Sequence, residues 1–254
     1  MFSKICLPAL GVAFLLMFVS SAQAVQTPKN GGYYFNEMKA SMLEVIEENQ
    51  GLINKKADGS LKEKKLLPKQ LYKKIYRTFK SIAGKDFTFK KMKAERNPEK
   101  IAHILAALLQ GGRVTIAKSQ GLINTEADGS KKLKRFIPAV FGKLTADRFK
   151  QKTGVAVKQT TLGKGKYGAR NSFNKPDKWE AKSLKTIAAK GWNRNQGVGE
   201  VVGGSYRYIK PVYIKKACLG CHGVPIGQPG PYGHPKEGYE VGDVRGGISV
   251  NLGL

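Results

Sequence analysis

Near the end of the chain, the run ACLGCHG at residues 217–223 places Cys218 and Cys221 three apart, with His222 directly after them. Both residue types are scarce: the 254 residues contain three cysteines and three histidines. Two thiols at this spacing can close a disulfide or act as a redox-active pair. With two further ligands they can hold zinc. Followed by histidine, they read as the attachment site of a c-type haem. Each thiol then takes one vinyl group of the porphyrin, and the imidazole comes to lie beneath the iron. A thioredoxin-like pair needs a βαβ context, which the upstream sequence lacks. Zinc needs a second ligand pair, and the remaining histidines, His103 and His234, stand alone. Covalent haem accounts for all three residues at once. One motif implies one haem, with Cys218 and Cys221 as thioether residues and His222 as the proximal iron ligand. Candidates for the sixth position are His103, His234, Met38, Met42, Met92 or a lysine, or it stays vacant; its identity sets redox potential and gas binding.

The N-terminus fits that chemistry, because such haem is attached outside the cytoplasm. Lys4 precedes an apolar run over 5–19, and Ala22-Gln23-Ala24 ends a small-residue segment. Residues 1–24 therefore read as a secretory signal peptide cut after Ala24. The apolar run is shorter than the roughly 20 residues of a membrane span. Cys6 lies at the start of the run rather than after it, which argues against a lipoprotein, and it leaves with the leader. Cys218 and Cys221 are then the only cysteines of the mature chain, whose expected location is a bacterial periplasm.

The formal charge is +27, and 41% of residues are hydrophobic, enough for a packed core. Such a balance calls for an acidic partner. Export removes nucleic acid from consideration and leaves an acidic redox or signalling protein, or an anionic membrane surface. Between residues 55 and 100 there are 16 Lys or Arg against five Asp or Glu. Solvated helix faces account for most of this run, and docking is the sharper reading. A homo-oligomer is compatible with the sequence.

Two elements of organisation must position the motif. In the first, residues 25–152, the chain repeats itself: QGLINKKADGS at 50–60 returns as QGLINTEADGS at 120–130. The two related units cover about 34–83 and 98–152. Helices are expected over 34–49 and 98–119, with Ile101, Ile104, Leu105 and Leu108 on one stripe. Asp58-Gly59 and Asp128-Gly129 read as turns. Pro68 and Pro138 are expected in the first turns of the following helices. Two copies are too few for a solenoid, so this is a helical duplication. In the second, residues 153–254, the pattern changes to strands at 154–162, on both sides of Gly203-Gly204, and at the C-terminus, with a helix near 176–190. Helix plus antiparallel strands is an α+β class. Trp179 and Trp192 bracket the helix as core anchors. Tyr206 and Tyr208 are expected on one sheet face and Arg207 on the other, in plain sheet packing or lining a haem pocket. Gly246-Gly247 is expected to permit close backbone approach.

Three segments, RNSFNKPDKWE, YRYIKPVYIKKACLGCHG and GYEVGDVRGGISV, resemble the Tll0287-like family. The likeness covers roughly 154–250, and the QGLIN helices upstream are similar to it as well. It implies a PAS-like antiparallel sheet carrying covalent c-type haem, often at the sensing end of periplasmic or membrane receptors. Some family members use a distal cysteine as sixth ligand; the mature chain has no spare cysteine, so that ligand does not carry over. Arg245 matches the closing motif and is a candidate haem-propionate contact, since arginine binds carboxylates bidentately; the alternative is a local Asp243–Arg245 contact. Two functions follow: redox or gas (NO, CO or O2) sensing, and electron transfer as a soluble cytochrome docking to an acidic partner. No HAMP, kinase or methyl-accepting segment follows the last strand, so sensing is expected to act through a partner. Catalysis is not expected, because no distal His/Arg pair is evident.

Overall fold

The computed structural model describes residues 31–54, 66–83, 98–124 and 135–253. The expected signal peptide, Met92 and both Asp-Gly turns lie outside these residues, as does much of the basic 55–100 run.

The duplicated sequence folds as a duplicated helical unit. The first copy gives α1 (Gly31–Glu48), α2 (Gln50–Asn54) and α3 (Pro68–Ala83). The second gives α4 (Pro98–Lys118), α5 (Gln120–Asn124) and α6 (Pro138–Thr153). Pro68 and Pro138 open α3 and α6, as expected of a residue whose missing N–H costs nothing there. α6 ends on Gly154 at φ 74°, whose N–H returns to Lys150 O at 2.8 Å. The copies lock together reciprocally. Gln50 Nε2 donates to Phe136 O at 2.9 Å, and its counterpart Gln120 Nε2 donates to Leu66 O at 3.3 Å. Leu66 and Phe136 are themselves equivalent positions, so each copy satisfies the same backbone carbonyl in the other. Ile53 and Ile123, in the matching short helices, are both fully buried.

The second half builds an antiparallel sheet from β1 (Ala156–Thr160), β2 (Val198–Val202), β3 (Ser205–Tyr213) and β4 (Val244–Gly253), in the order β1-β4-β3-β2. Gly203 and Gly204 join β2 to β3 with φ of 56° and 78°, the two positive values that a tight two-residue hairpin turn requires. A further helix, α7 (Lys178–Ala188), starts with a capping box: Glu180 N donates to Asp177 Oδ1 and Asp177 N to Glu180 Oε2, each at 2.9 Å. The class is thus α+β with a four-stranded antiparallel sheet.

Helices cover both faces of this sheet. Tyr208, Ile248, Val250, Leu252 and Val157 join the helical core, centred on Phe35, Met38, Met42 and Phe149. Ile209 points the other way, into a smaller cluster with Trp179, Leu184 and Ile187 of α7, against which Trp192 packs. The alternation expected along β3 is therefore present, and Tyr208 and Arg207 serve sheet packing: Arg207 stacks on Trp179 at 4.5 Å and pairs with Asp177 at 2.6 Å. α1 lies directly on the sheet. A Cβ at Gly32 would stand 2.7 Å from Tyr208 Cβ, so only glycine permits that approach. Asn36 Nδ2 donates to Ile248 O at 2.8 Å, and buried Glu37 pairs with Lys210 of β3. By these contacts α1 is fixed relative to the end of β3, from which the cysteine motif departs.

Candidate functional site

β3 hands the chain to the motif through a pinned corner. Buried Ile214 receives Gly242 N on its carbonyl at 2.9 Å and donates its own N–H to Asp243 O at 2.8 Å. A 3-10 turn (Lys216–Cys218) then runs into α8 (Leu219–His222). The 3-10 turn ends on Cys218, and α8 carries Cys221 and His222. The segment after it doubles back: Gly227 N bonds Lys236 O and Lys236 N bonds Gln228 O, both at 2.9 Å. Gly230 sits against the motif, where a Cβ would be 3.4 Å from Cys221 Cα. The return stroke then aligns with α8, Gly238 N donating to Gly223 O and Tyr239 N to His222 O, each at 2.9 Å. This brings Glu237 and Tyr239 beside His222.

The His222 ring is held on one side by a carboxylate. Nδ1 lies 2.9 Å from Glu237 Oε2, and the Glu237 side chain is only 3% exposed. Arg170 clamps the same carboxylate, Nε to Oε1 and Nη2 to Oε2, both at 2.7 Å. Its Nη2 also reaches Cys221 O at 3.0 Å and Pro235 O at 3.2 Å. Burial raises the Glu237 carboxyl, but the hydrogen bonds from Arg170 and His222 outweigh it and hold it below its ordinary value. Burial, with Arg245 next in effect, pushes His222 down to about 4 against the opposing pull of Glu237. At neutral pH the ring is therefore neutral and the carboxylate ionised. A carboxylate can only accept, so the ring proton sits on Nδ1 and Nε2 keeps its lone pair. Nε2 has no hydrogen-bond partner among the described residues.

Both thiols are free and half-buried. Burial pushes each up from its ordinary value; Lys215 N–H partly offsets this at Cys218, and Arg170 does so at Cys221. Redox-active pairs depend on a depressed thiol, so this environment does not suit a dithiol catalyst. Cys218 Sγ lies 3.7 Å from Glu47 Oε1, and Lys215 Nζ lies 3.5 Å from Glu44 Oε1. The motif is thus seated against the C-terminal half of α1.

These residues fit a thioether-linked haem. Two thiols stand one turn apart, and the adjacent imidazole is neutral, with its non-ligating nitrogen anchored as metal-bound histidines usually are. Beside the imidazole, Tyr239 meets the ring edge-on at a centroid distance of 6.1 Å, and its buried hydroxyl has no partner among the described residues. Lys164 and Arg245 each lie 5.3 Å from the Tyr239 ring centroid, and the Arg245 guanidinium is suited to an acidic substituent. Arg245 Nη1 donates to Thr161 Oγ1 at 2.9 Å. The alternative Asp243–Arg245 contact gives way to another pairing: Asp243 takes Lys164 at 2.5 Å instead.

The candidates for the opposite iron position are dispersed. His103 is exposed on α4 and His234 is exposed in the returning loop. Met38 and Met42 are buried at 1% and 0% exposure among the helices, as core side chains. The close approach expected at Gly246-Gly247 is present: a Cβ would lie 2.2 Å from Thr160 O at Gly246 and 2.6 Å from Ile209 at Gly247. Glu237, Arg170 and Tyr239 were not expected as site residues. Arg170 begins the RNSFNKPDKWE segment and Tyr239 falls in GYEVGDVRGGISV, but no spacing ties residue 170 to residue 237.

A family model described as Tll0287-like matches residues 34–252. Among curated proteins there is no match. A solved structure similar in part is the crystal structure of the cyanobacterial heme-protein Tll0287, at 21% identity over 62% of this chain and 96% of that one, with a TM-score of 0.40.

Proposed function

The chain belongs to the Tll0287-like family, and on that premise we propose that it is an exported monohaem c-type cytochrome with a PAS-like fold, acting in periplasmic redox or gas sensing. The observation that carries this reading is the His222 ring, held through Nδ1 at 2.9 Å by buried Glu237 next to two free thiols. Cys218 and Cys221 carry the thioethers, and His222 Nε2 binds the iron. The haem, when bound, supplies a one-electron couple and, at an open sixth position, a site for NO, CO or O2. The protein's part is to hold that group and feel its state. Glu237 and Arg170 fix the proximal ring. Arg245, whose guanidinium donates to Thr161 and pairs with no carboxylate among the described residues, offers positive charge to the propionates. Lys215, three residues before Cys218, pairs with Glu44 of α1, and α1 packs on the sheet and enters the helical core, a route for a change at the iron to reach the bundle. The antiparallel sheet with helices on both faces supports the PAS-like reading.

One observation favours electron transfer as a second reading. Lys69, Lys73 and Arg77 share the exposed face of α3 with Tyr76, while Leu71, Ile75 and Phe79 are buried on the other. A basic face of this kind steers an acidic partner, such as a redox or signalling protein, or an anionic membrane surface. No enzymatic turnover is part of either reading.

The absorbance spectrum of the reduced protein with and without CO separates gas sensing from the redox roles. A rapid, tight spectral shift marks an open sixth position and gas sensing. An unchanged spectrum marks a closed site and favours redox sensing or electron transfer. A purified, exported protein with no haem absorbance overturns both.

A further inference from the structure

We infer that Glu237, braced by Arg170, is a positioning residue that fixes the orientation and tautomer of His222 and lowers the reduction potential of the iron bound at its Nε2. This rests on the c-type haem reading. The geometry is a three-member chain in which each link is charged or directional. Arg170 meets both carboxylate oxygens at 2.7 Å, and one of them meets His222 Nδ1 at 2.9 Å. The carboxylate is nearly sealed from water, with 3% of its side chain exposed, so solvent screens it little. Arg170 also binds the Cys221 carbonyl, so the ring and the backbone of the thioether residue are set against one guanidinium.

Two effects follow. The ring cannot rotate or exchange its proton to Nε2 without losing a charge-assisted hydrogen bond. The negative charge beside Nδ1 also pushes electron density toward Nε2, making it a stronger donor, and a stronger donor favours the more positive iron. Outer partners of metal-bound histidines shift affinity or activity by about 10–100-fold. Arg170 tempers this electronic effect without cancelling it, because the carboxylate and not the guanidinium is in contact with the ring.

The test is the reduction potential of the haem-loaded protein, measured spectroscopically with mediator dyes. The couple takes one electron from the mediator and leaves Glu237 ionised. Glu237→Gln keeps the shape and one acceptor oxygen but removes the charge. Its reduction equilibrium is expected to favour the ferrous form about tenfold more than the parent, a positive shift of about 59 mV for one electron. Glu237→Asp, which restores the charge, is expected to return toward the parent value. If Glu237→Gln does not fold because Arg170 is left unpaired, the charge-balanced Arg170→Gln/Glu237→Gln protein decides, with the same sign expected. A haem-loaded variant at the parent potential overturns the inference and leaves the haem reading standing. A parent protein that shows no haem stain on a denaturing gel overturns both.

Discussion

At the scale of single residues, the site is organised by a buried carboxylate and its partly buried arginine partner rather than by the cysteines. Removing Arg170 leaves the Glu237 carboxylate buried with only a neutral imidazole for company. Breaking a buried pair costs about 3–5 kcal/mol, and the partial exposure of Arg170 discounts this. Arg170→Met is therefore expected to lose roughly 2–3 kcal/mol in denaturant unfolding, whereas a change at exposed Lys69 stays within about 0.5 kcal/mol. Cys218, Cys221 and His222 were legible because their chemistry is written in adjacent positions. Arg170 and Glu237 were not: they meet only because the loop after α8 doubles back, and no local pattern encodes that return.

At the scale of elements, the close approach of α1 to the sheet hangs on a glycine. Gly32→Ala would push a methyl group against Tyr208 and Tyr206 and is expected to destabilise by about 1–3 kcal/mol. Gly51, in α2, has nothing within 4 Å of the same position, so Gly51→Ala is expected to stabilise by about 0.5–1 kcal/mol. Thermal unfolding of the two variants reads the contrast directly. α1 also buries Lys39, whose ammonium donates to Gly142 O at 2.5 Å and lines a cavity of about 190 Å³ between α1, α6 and β1. Burial pulls its pKa down to about 7 from an ordinary 10.5. Below about pH 7 both the native and the unfolded chain carry the proton, and the native state bears the full burial cost. Between about 7 and 10.5 only the unfolded chain holds it, so stability rises with pH through that window. Lys39→Met is expected to flatten the rise and to stabilise the protein at pH 7 by about 1–4 kcal/mol. Most helices and strands were legible: an apolar stripe placed α4 and the repeat placed its counterpart α1, the Gly-Gly turn placed β2 and β3, and alternation placed β1. Lys39 was not, because a lysine within an apolar stripe reads as a break in it.

At the scale of the whole molecule, duplication and site meet in one body. The two helical copies satisfy each other through Gln50 and Gln120, and their shared core continues into the sheet that launches the motif. The repeat was plain in the sequence, but its reciprocal hydrogen bonds, and the seating of Cys218 against Glu47, depend on how helices pack and leave no trace in spacing. The proposed function requires a porphyrin joined to the chain through two sulfurs. Intact-mass measurement of the exported, processed protein tests it most directly. The expected result is the polypeptide from Val25 onward plus the mass of one haem, lost when Cys218 and Cys221 are both changed to alanine. A mass equal to that of the polypeptide alone contradicts it.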